Sequence, residues 1–328
     1  MNAIRVREQG EPEVLVLEEV DDPRPGAGQV VVELHAAGVN MIDVQQRSGG
    51  YPRPVPFTPG TEGAGEVLEV GDGVEGWAPG DRVAYAAVSG AYSERAVIPA
   101  ERLVPVPPDV SLELAAAALL QGMTAHYLTH SVVPLEDGST VVVHAAAGGV
   151  GLLLTQMATA RRLRVIGTTS TEEKAALVRA AGAIGVVVRG RDDLAAVVED
   201  HTDGAGAPVV FDSVGRDTFD ESLGVLARRG CLVLFGQSSG AVPPLDLSRL
   251  QQAGSVFVTR PGLADYVATR DELLARSDAV LSMIASGDLD VRIHGRYPLE
   301  RADEAHRALQ GGMTAGKLLL VTDLGART

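Results

Sequence analysis

A glycine-rich segment follows an apolar run near the middle of the chain. The run is Thr140–Ala145, and the segment that continues from it is Ala146-Ala147-Gly148-Gly149-Val150-Gly151. Glycine lets the backbone approach a diphosphate, and a helix that starts here presents unpaired N–H groups to the phosphates. Alanine replaces the first glycine of the G-x-G-x-x-G pattern, so the motif alone is weak evidence for a dinucleotide site. Its position between a strand and a helix is what supports that interpretation. We predict a dinucleotide site at Ala147, Gly148, Gly149 and Val150; the alternative is a turn that holds no ligand.

The next strand of the pattern ends at Ser170 without a carboxylate that would bind both ribose hydroxyls of NAD. Ser170 can donate a hydrogen bond to a 2′-phosphate, and Lys174 and Arg189 can supply positive charge. Glu172 and Glu173 stand close by, and we interpret them as the first turn of a helix in which Ser170 and Glu173 form a capping box. The sequence therefore favours NADPH over NADH, although Lys174 can equally be a solvated helix residue.

Three regions of the chain differ in their pattern of apolar runs and turn residues, and together they indicate an α/β protein with two domains. Residues 1–122 carry short β-rich runs between Pro/Gly turns, which are typical of a compact antiparallel barrel. Residues 123–264 alternate apolar strands with helix-length segments, as a doubly wound parallel sheet requires. Residues 265–328 end in the strand Lys317–Val321, which we expect to rejoin the sheet of the first domain.

Composition excludes several classes of function. A net charge of −15 and an aromatic content of 4% argue against binding to nucleic acid, which needs clustered Lys and Arg. Cys231 is the single cysteine, so neither an internal disulfide nor a multi-cysteine zinc site is possible. The first residues have no apolar core of a secretion signal, and glycines interrupt the apolar stretch Val141–Ala160. We expect a soluble, cytoplasmic protein that has no membrane partner.

The order of several short motifs resembles the zinc-free NADPH:quinone oxidoreductases of the medium-chain dehydrogenase/reductase superfamily, the relatives of zeta-crystallin. The motifs extend over most of the chain and include Ala37-Gly38-Val39-Asn40-Met41-Ile42-Asp43, Arg47-Ser48-Gly49-Gly50-Tyr51-Pro52, Pro59-Gly60-Thr61-Glu62-Gly63, Phe211-Asp212-Ser213-Val214-Gly215 and Phe235-Gly236-Gln237-Ser238-Ser239-Gly240. The resemblance implies a GroES-like β-barrel catalytic domain, a Rossmann domain and a cleft between them for the nicotinamide.

The resemblance also implies roles for individual residues. Asn40 and Tyr51 would lie at the nicotinamide end, with Thr124 beside it. The remaining cofactor contacts would come from Phe235, Gly236, Gln237, Ser238 and Lys317. The chain departs from the family where Gln45 and Arg189 replace tyrosines, which leaves open the shape of the acceptor site and the contacts of the adenosine.

Zinc is not expected. At the ligand positions of the zinc alcohol dehydrogenases the chain has Asn40 instead of Cys and Thr61 instead of His. Glu62 remains, but one carboxylate does not make a zinc site.

The resemblance and the donors favour hydride transfer from nicotinamide C4 to a quinone without metal or flavin. Asn40 and Tyr51 are the candidate donors to the developing phenolate, and Asp43 either takes part or only fixes its loop. An enoyl or alkenal reductase, and a non-catalytic NADPH-binding sensor or structural protein, remain as alternatives. The stretch Ser255–Val258 is expected to be the edge strand of the Rossmann sheet, and members of the family pair this edge in a homodimer.

Overall fold

The computed structural model of the protein describes residues 1–325. Its contacts divide the chain into two units: unit 1 contains residues 1–123 and 267–325, and unit 2 contains residues 124–266. The boundaries expected from the sequence texture lie at 122/123 and 264/265. Among the described residues, no helix combines the length and the hydropathy that crossing a bilayer requires.

The first segment of unit 1 is rich in strands that are separated by turns. Its elements, in chain order, are β1 (Asn2–Arg5), β2 (Val16–Glu19), β3 (Gln29–Val39), α1 (Met41–Ser48), β4 (Glu62–Val70), β5 (Arg82–Ala86), β6 (Arg95–Pro99), β7 (Val104–Pro105) and α2 (Leu112–His130). Short 3₁₀ helices occupy Pro12–Val14 and Ala100–Arg102. The boundary between the two units falls within α2.

Unit 2 alternates strands and helices. Its elements are β8 (Thr140–Val143), α3 (Gly149–Ala160), β9 (Arg164–Thr169), α4 (Glu172–Ala180), β10 (Gly185–Val188), α5 (Leu194–Thr202), β11 (Ala207–Asp212), α6 (Phe219–Gly224), β12 (Leu226–Leu234), α7 (Ser248–Gln252), β13 (Phe257–Thr259) and α8 (Leu263–Tyr266).

The chain then returns to unit 1. The returning elements are α9 (Arg270–Ala285), β14 (Ile293–Pro298), the 3₁₀ helix Leu299–Arg301, α10 (Ala302–Gln310) and β15 (Lys317–Val321).

The larger sheet of unit 1 has the order β14-β15-β3-β4-β5-β7, and β6 pairs with β3. The long strand β3 pairs antiparallel with β4, β6 and β15, so the last strand of the chain joins the sheet of the first segment as expected. The sheet is not antiparallel throughout, because β14 and β15 run parallel. Parallel neighbours need a crossover, and α10 supplies it. A core of buried apolar side chains, among them Ile4, Val30, Leu34 and Leu320, packs within this unit.

The sheet of unit 2 is parallel, with the order β10-β9-β8-β11-β12-β13. Counted from the first strand of the unit, this is the order 3-2-1-4-5-6 of a doubly wound dinucleotide-binding sheet. Val142, Ile166, Val210 and Leu232 are fully buried in its core, because strands covered on both faces need apolar side chains throughout.

The edge of this sheet differs in one detail from the expectation. Strand β13 begins at Phe257 rather than Ser255, since Ser255 has a φ of 58° and lies outside the extended region. Phe257 itself is 63% exposed on the edge strand. Cys231 is buried within β12, which agrees with a core role.

Candidate active site

The glycine loop joins the end of β8 to the start of α3. Gly148 is the N-cap residue of α3, and its N–H donates to Ala145 O at 2.9 Å, which closes the turn. A Cβ at Gly151 would lie 2.4 Å from Ala145 O and 2.7 Å from the carbonyl carbon of Ala146, so only glycine lets the helix approach the loop this closely. Ala147 is buried, whereas Gly148, Gly149 and Val150 are partly exposed at the helix start. This cradle fits the diphosphate of a dinucleotide.

A buried polar network fixes the strand ends around this loop. His144 has no exposure; its Nδ1 lies 3.1 Å from Thr168 Oγ1 and its Nε2 lies 3.0 Å from Ser222 Oγ. Ser222 donates its hydroxyl hydrogen to Asp212 at 2.9 Å, so the hydrogen between Ser222 and His144 belongs to Nε2 of the imidazole. Burial lowers the pKa of His144, which keeps the ring neutral.

The carboxylate of Asp212 is the acceptor at the other end of this network. It accepts hydrogen bonds from the N–H groups of Val214 and Gly215 and from the hydroxyl of Thr218. The carboxyl ends of β8, β9 and β11 are thereby tied to α6, and the glycine loop that follows β8 receives a rigid base.

The predicted phosphate-binding residues follow the ends of β9 and β10, which are neighbours in the sheet. Arg189 N donates to Thr169 O at 2.9 Å, and Arg189 Nη2 donates to Asp217 O at 3.1 Å. Ser170 and Arg189 are exposed, and burial lowers the pKa of the half-buried Lys174.

The prediction that Ser170 and Glu173 form a capping box is wrong. Helix α4 begins one residue later, and Thr171 is its N-cap, with Oγ1 accepting from Lys174 N at 3.3 Å. Two adjacent hydroxyl residues are both competent caps, and the sequence pattern does not distinguish them. The consequence is that the Ser170 side chain does not cap α4.

Two arginines neutralise Glu172, the first residue of α4. Glu172 accepts from Arg179 Nη1 at 2.6 Å and from Arg191 Nη1 at 2.8 Å, and these hydrogen bonds lower the pKa of its carboxyl. Sequence reasoning missed both arginines. The spacing of Glu172 and Arg179, two turns apart on one helix face, was a usable signal, whereas the contact with Arg191 arises only from the pairing of β9 with β10.

The segment Phe235–Ser238 begins directly after β12 and lies at the same carboxyl edge of the sheet. Phe235 N donates to Asp212 O at 2.9 Å, and Ser238 N donates to Ser213 O at 3.1 Å. A Cβ at Gly236 would lie 2.6 Å from Ser213 O, which explains the glycine. Arg260, which sequence reasoning did not assign, donates to the Gln237 amide oxygen at 2.9 Å. Thr124 is buried on α2.

In unit 1, Asn40 lies at the start of α1 with only 3% of its surface exposed. Its Oδ1 accepts from Lys317 Nζ at 2.8 Å and from Gln121 Nε2 at 3.2 Å. Its Nδ2 donates to Glu62 Oε2 at 3.0 Å and to Gly38 O at 3.3 Å. Both ends of the amide are therefore bound inside the protein.

Glu62 and Lys317 form a buried ion pair of 2.5 Å, with exposures of 0% and 1%. The other carboxylate oxygen of Glu62 accepts from Leu120 N at 2.6 Å. A Cβ at Gly38 would lie 2.2 Å from Glu62 Oε2 and 2.7 Å from Lys317 Cε, so glycine is needed beside the pair.

Asp43 is fully buried and stabilises its own loop. It accepts from Asn40 N at 2.9 Å, from Thr61 Oγ1 at 3.0 Å and from Tyr92 Oη at 3.2 Å. Burial outweighs these hydrogen bonds and raises the pKa of Asp43 to about 6. Tyr51 follows α1 and is 37% exposed, and its N–H donates to Gln45 O at 3.0 Å.

At the positions that bind zinc in the zinc alcohol dehydrogenases, the residues of this chain do not fit a zinc ion. Asn40 and Thr61 offer an amide and a hydroxyl, and both oxygens of Glu62 already accept hydrogen bonds within the protein. Within residues 1–325 there is no group of three or more His, Cys, Asp or Glu side chains that could hold a metal. Zinc prefers thiolate, imidazole and carboxylate ligands.

Comparisons with known proteins agree over nearly the whole chain. Residues 149–268 match the family model described as zinc-binding dehydrogenase, and residues 26–108 match the alcohol dehydrogenase GroES-like domain. A quinone oxidoreductase of Pseudomonas aeruginosa is 44% identical over 95% of this chain and 97% of that protein. A 2-haloacrylate reductase of a Burkholderia species is 38% identical over 96% and 97%.

A solved structure gives the same answer for the fold. The Escherichia coli quinone oxidoreductase complexed with NADPH matches with a TM-score of 0.96 and 42% identity, and the match covers 98% of this chain and 100% of that chain. The chain thus belongs to the medium-chain dehydrogenase/reductase superfamily and, within it, to the quinone oxidoreductase family.

The buried histidines lead to a prediction for stability against pH. His306 has no exposure, its Nε2 lies 3.0 Å from Tyr92 Oη, and burial lowers its pKa to about 3. In the unfolded chain His306 binds a proton near pH 6.5, whereas the folded, buried His306 stays neutral down to about pH 3. The contribution of His306 to stability is therefore complete above pH 6.5 and is lost as the pH falls from there towards 3. His306→Asn should therefore lose about 2 kcal/mol less unfolding free energy than the parent between pH 7 and pH 5.

Urea unfolding at both pH values measures this difference. Asp43 acts in the opposite direction, because its raised pKa stabilises the fold as the pH falls through about 6. Tyr92 Oη contacts both Asp43 and His306, and asparagine keeps an amide donor for that hydroxyl, so the contribution of Asp43 is retained in both proteins and cancels in the comparison. Equal losses in parent and variant would contradict a neutral, buried His306.

Proposed function

We propose that the protein is an NADPH-dependent reductase that transfers hydride to a quinone. The observation that carries the proposal is the glycine cradle at the start of α3, next to a strand end whose nearby acid, Glu172, is paired with two arginines. The NADPH complex of the Escherichia coli relative and the names of the relatives support it. The reaction would take place in the cytoplasm, which agrees with a single, buried, unpaired Cys231.

Each part of the cofactor has candidate partners in this proposal. Gly148, Gly149 and Val150, with Ala147 behind them, bind the diphosphate, and Ser170, Lys174 and Arg189 bind the 2′-phosphate. The remaining contacts come from Thr124, Phe235, Gly236, Gln237 and Ser238. NADPH bound in this way supplies the hydride from nicotinamide C4.

The proposal assigns the acceptor chemistry to Asn40 and Tyr51. A quinone that receives hydride develops phenolate charge, which a hydroxyl donor stabilises. Tyr51 is the stronger candidate for that donor, because it is 37% exposed, whereas Asn40 is 3% exposed and its Nδ2 already donates to Glu62 and Gly38 O. Asp43 holds Asn40 and Thr61 in place and positions this loop.

A reductase of other conjugated carbonyl compounds is the second candidate, and the 38% identical 2-haloacrylate reductase favours it. Hydride transfer to an activated C=C bond uses the same cofactor chemistry. A non-catalytic NADPH-binding role would give binding without turnover of either class of acceptor.

The acceptor is tested by following NADPH oxidation with 1,4-benzoquinone and with 2-alkenals. We expect turnover with the quinone, and Tyr51→Phe should lower kcat/KM about ten-fold, the value of one hydrogen bond to a charged oxygen. Tyr297→Phe, which removes a hydroxyl elsewhere in unit 1, is the control. Alkenals preferred over quinones would favour the second candidate, and full activity of both Tyr51→Phe and Asn40→Ala would refute the assigned site.

The choice of cofactor is tested with Lys174→Ala and Arg189→Ala. Each variant should raise the KM for NADPH about ten-fold and leave the KM for NADH unchanged, because only NADPH carries the 2′-phosphate. Arg164→Ala removes an exposed cation at the opposite end of β9 and serves as the matched control. Equal binding of NADH and NADPH by the parent protein would contradict the proposed phosphate site.

We also propose a homodimer through the edge strand β13. An exposed edge with a 63% exposed Phe257 is a surface that pairing across a two-fold axis would cover. Light scattering should give twice the chain mass of 34.1 kDa. Phe257→Lys should give a monomer, whereas Met313→Lys, at a more exposed apolar residue of unit 1, should not. A monomeric parent protein would remove this proposal.

A further inference from the structure

The positions that hold zinc in related dehydrogenases contain a different cation in this chain. Asn40 and Glu62 stand at two of these positions, and the ammonium of Lys317 contacts both. We infer that Lys317 is a positioning residue, whose buried charge replaces the electrostatic role of a metal by neutralising Glu62 and orienting the amide of Asn40. Its effect on turnover rests on the proposed quinone reduction.

Lys317 neutralises the charge of Glu62. Glu62 is fully buried, and a buried carboxylate without a partner is strongly destabilising. Lys317 supplies the full positive charge against Glu62 Oε2, while the other oxygen accepts only a neutral N–H group, that of Leu120. A side chain at position 38 would lie against both members of the pair, since a Cβ at Gly38 would be 2.2 Å from Glu62 Oε2 and 2.7 Å from Lys317 Cε.

The Asn40 amide has a defined direction beside the ion pair. Its oxygen points to Lys317 Nζ, and its nitrogen points to Glu62 Oε2. A flipped amide would place N–H groups against the ammonium and the oxygen against the carboxylate, and both contacts would be repulsive. The ion pair thus adds charge to the orientation that Gln121 Nε2 and Gly38 O also favour, at the residue that the proposed function places beside the acceptor.

This role differs from the direct cofactor contact that the family resemblance implies for Lys317. A direct contact predicts weaker NADPH binding when Lys317 is replaced. A positioning role predicts unchanged NADPH binding, slower turnover and a loss of stability.

The experiment compares Lys317→Ala with Lys317→Met. Alanine removes a group equivalent to propylammonium, whereas methionine fills similar space without a charge. Both variants should show a lower Tm and at least a ten-fold lower kcat with 1,4-benzoquinone, with the Kd for NADPH within two-fold of the parent. Added propylammonium should raise the Tm and kcat of Lys317→Ala but not those of Lys317→Met, and 1-propanol should not replace it.

A double variant keeps the test decisive if the single variants fold poorly. Lys317→Met combined with Glu62→Gln removes both charges and should recover the Tm, since a neutral pair leaves no uncompensated ion. Its kcat should stay low, because without the two charges only the neutral groups Gln121 Nε2 and Gly38 O hold the orientation of the amide.

Three results would overturn the inference: a raised Kd for NADPH with unchanged kcat, parental kcat in Lys317→Met, or equal rescue by 1-propanol. If the parent protein did not reduce quinones, the proposed function would fail on its own. The Tm response of Lys317→Ala to propylammonium would still decide whether the site needs a cation.

Discussion

The ion pair of Lys317 and Glu62 is the constraint on which the arrangement of unit 1 depends. It joins β15 to β4, and through the amide of Asn40 and the N–H of Leu120 it reaches the start of α1 and the middle of α2. Such a pair contributes little net stability compared with apolar residues of the same volume, but it penalises every arrangement that separates the charges. Its value is specificity: the strands, the helix start and the amide have one mutually compatible position.

Unit 2 uses hydrogen bonds for the same purpose. A series of hydrogen bonds connects the ends of three parallel strands with one another and with α6, and it runs through Asp212, Ser222, His144 and Thr168. Each donor in this series has an acceptor. The glycine loop follows directly from His144. A loop that binds phosphate by backbone N–H groups needs a fixed backbone, because the binding energy would otherwise be spent on ordering it. The buried network provides this order before any ligand arrives.

Local patterns were sufficient to predict much of the fold from the sequence. The strand predicted at the tail, Lys317–Val321, has the observed bounds, and the apolar run before the glycines predicted β8 and α3. These features depend on residues that are close in sequence. The choice between Ser170 and Thr171 as helix cap was not predictable, since both side chains are competent and the difference lies in one residue of register.

The interactions between residues far apart in the chain could not be predicted from the sequence. Glu62 and Lys317 are 255 positions apart, and the contact of Arg191 with Glu172 follows from strand pairing rather than from spacing. Asn40 and Lys317 were named individually as candidate site residues, but their common partner Glu62 was interpreted only as the one remaining carboxylate of a zinc site. Pairing of charges across a fold needs the topology, which composition and periodicity do not contain.

The division of the chain also affects the order in which the protein can form during synthesis. Unit 2 is continuous in sequence, so the ribosome releases all of it before the final strand is made. Unit 1 is interrupted, and Glu62 is translated long before the lysine that neutralises it. Until residue 317 emerges, the early strands carry a carboxylate that favours water over the interior. The nucleotide-binding half can therefore mature first, and the other half closes only when its last strand brings the missing charge.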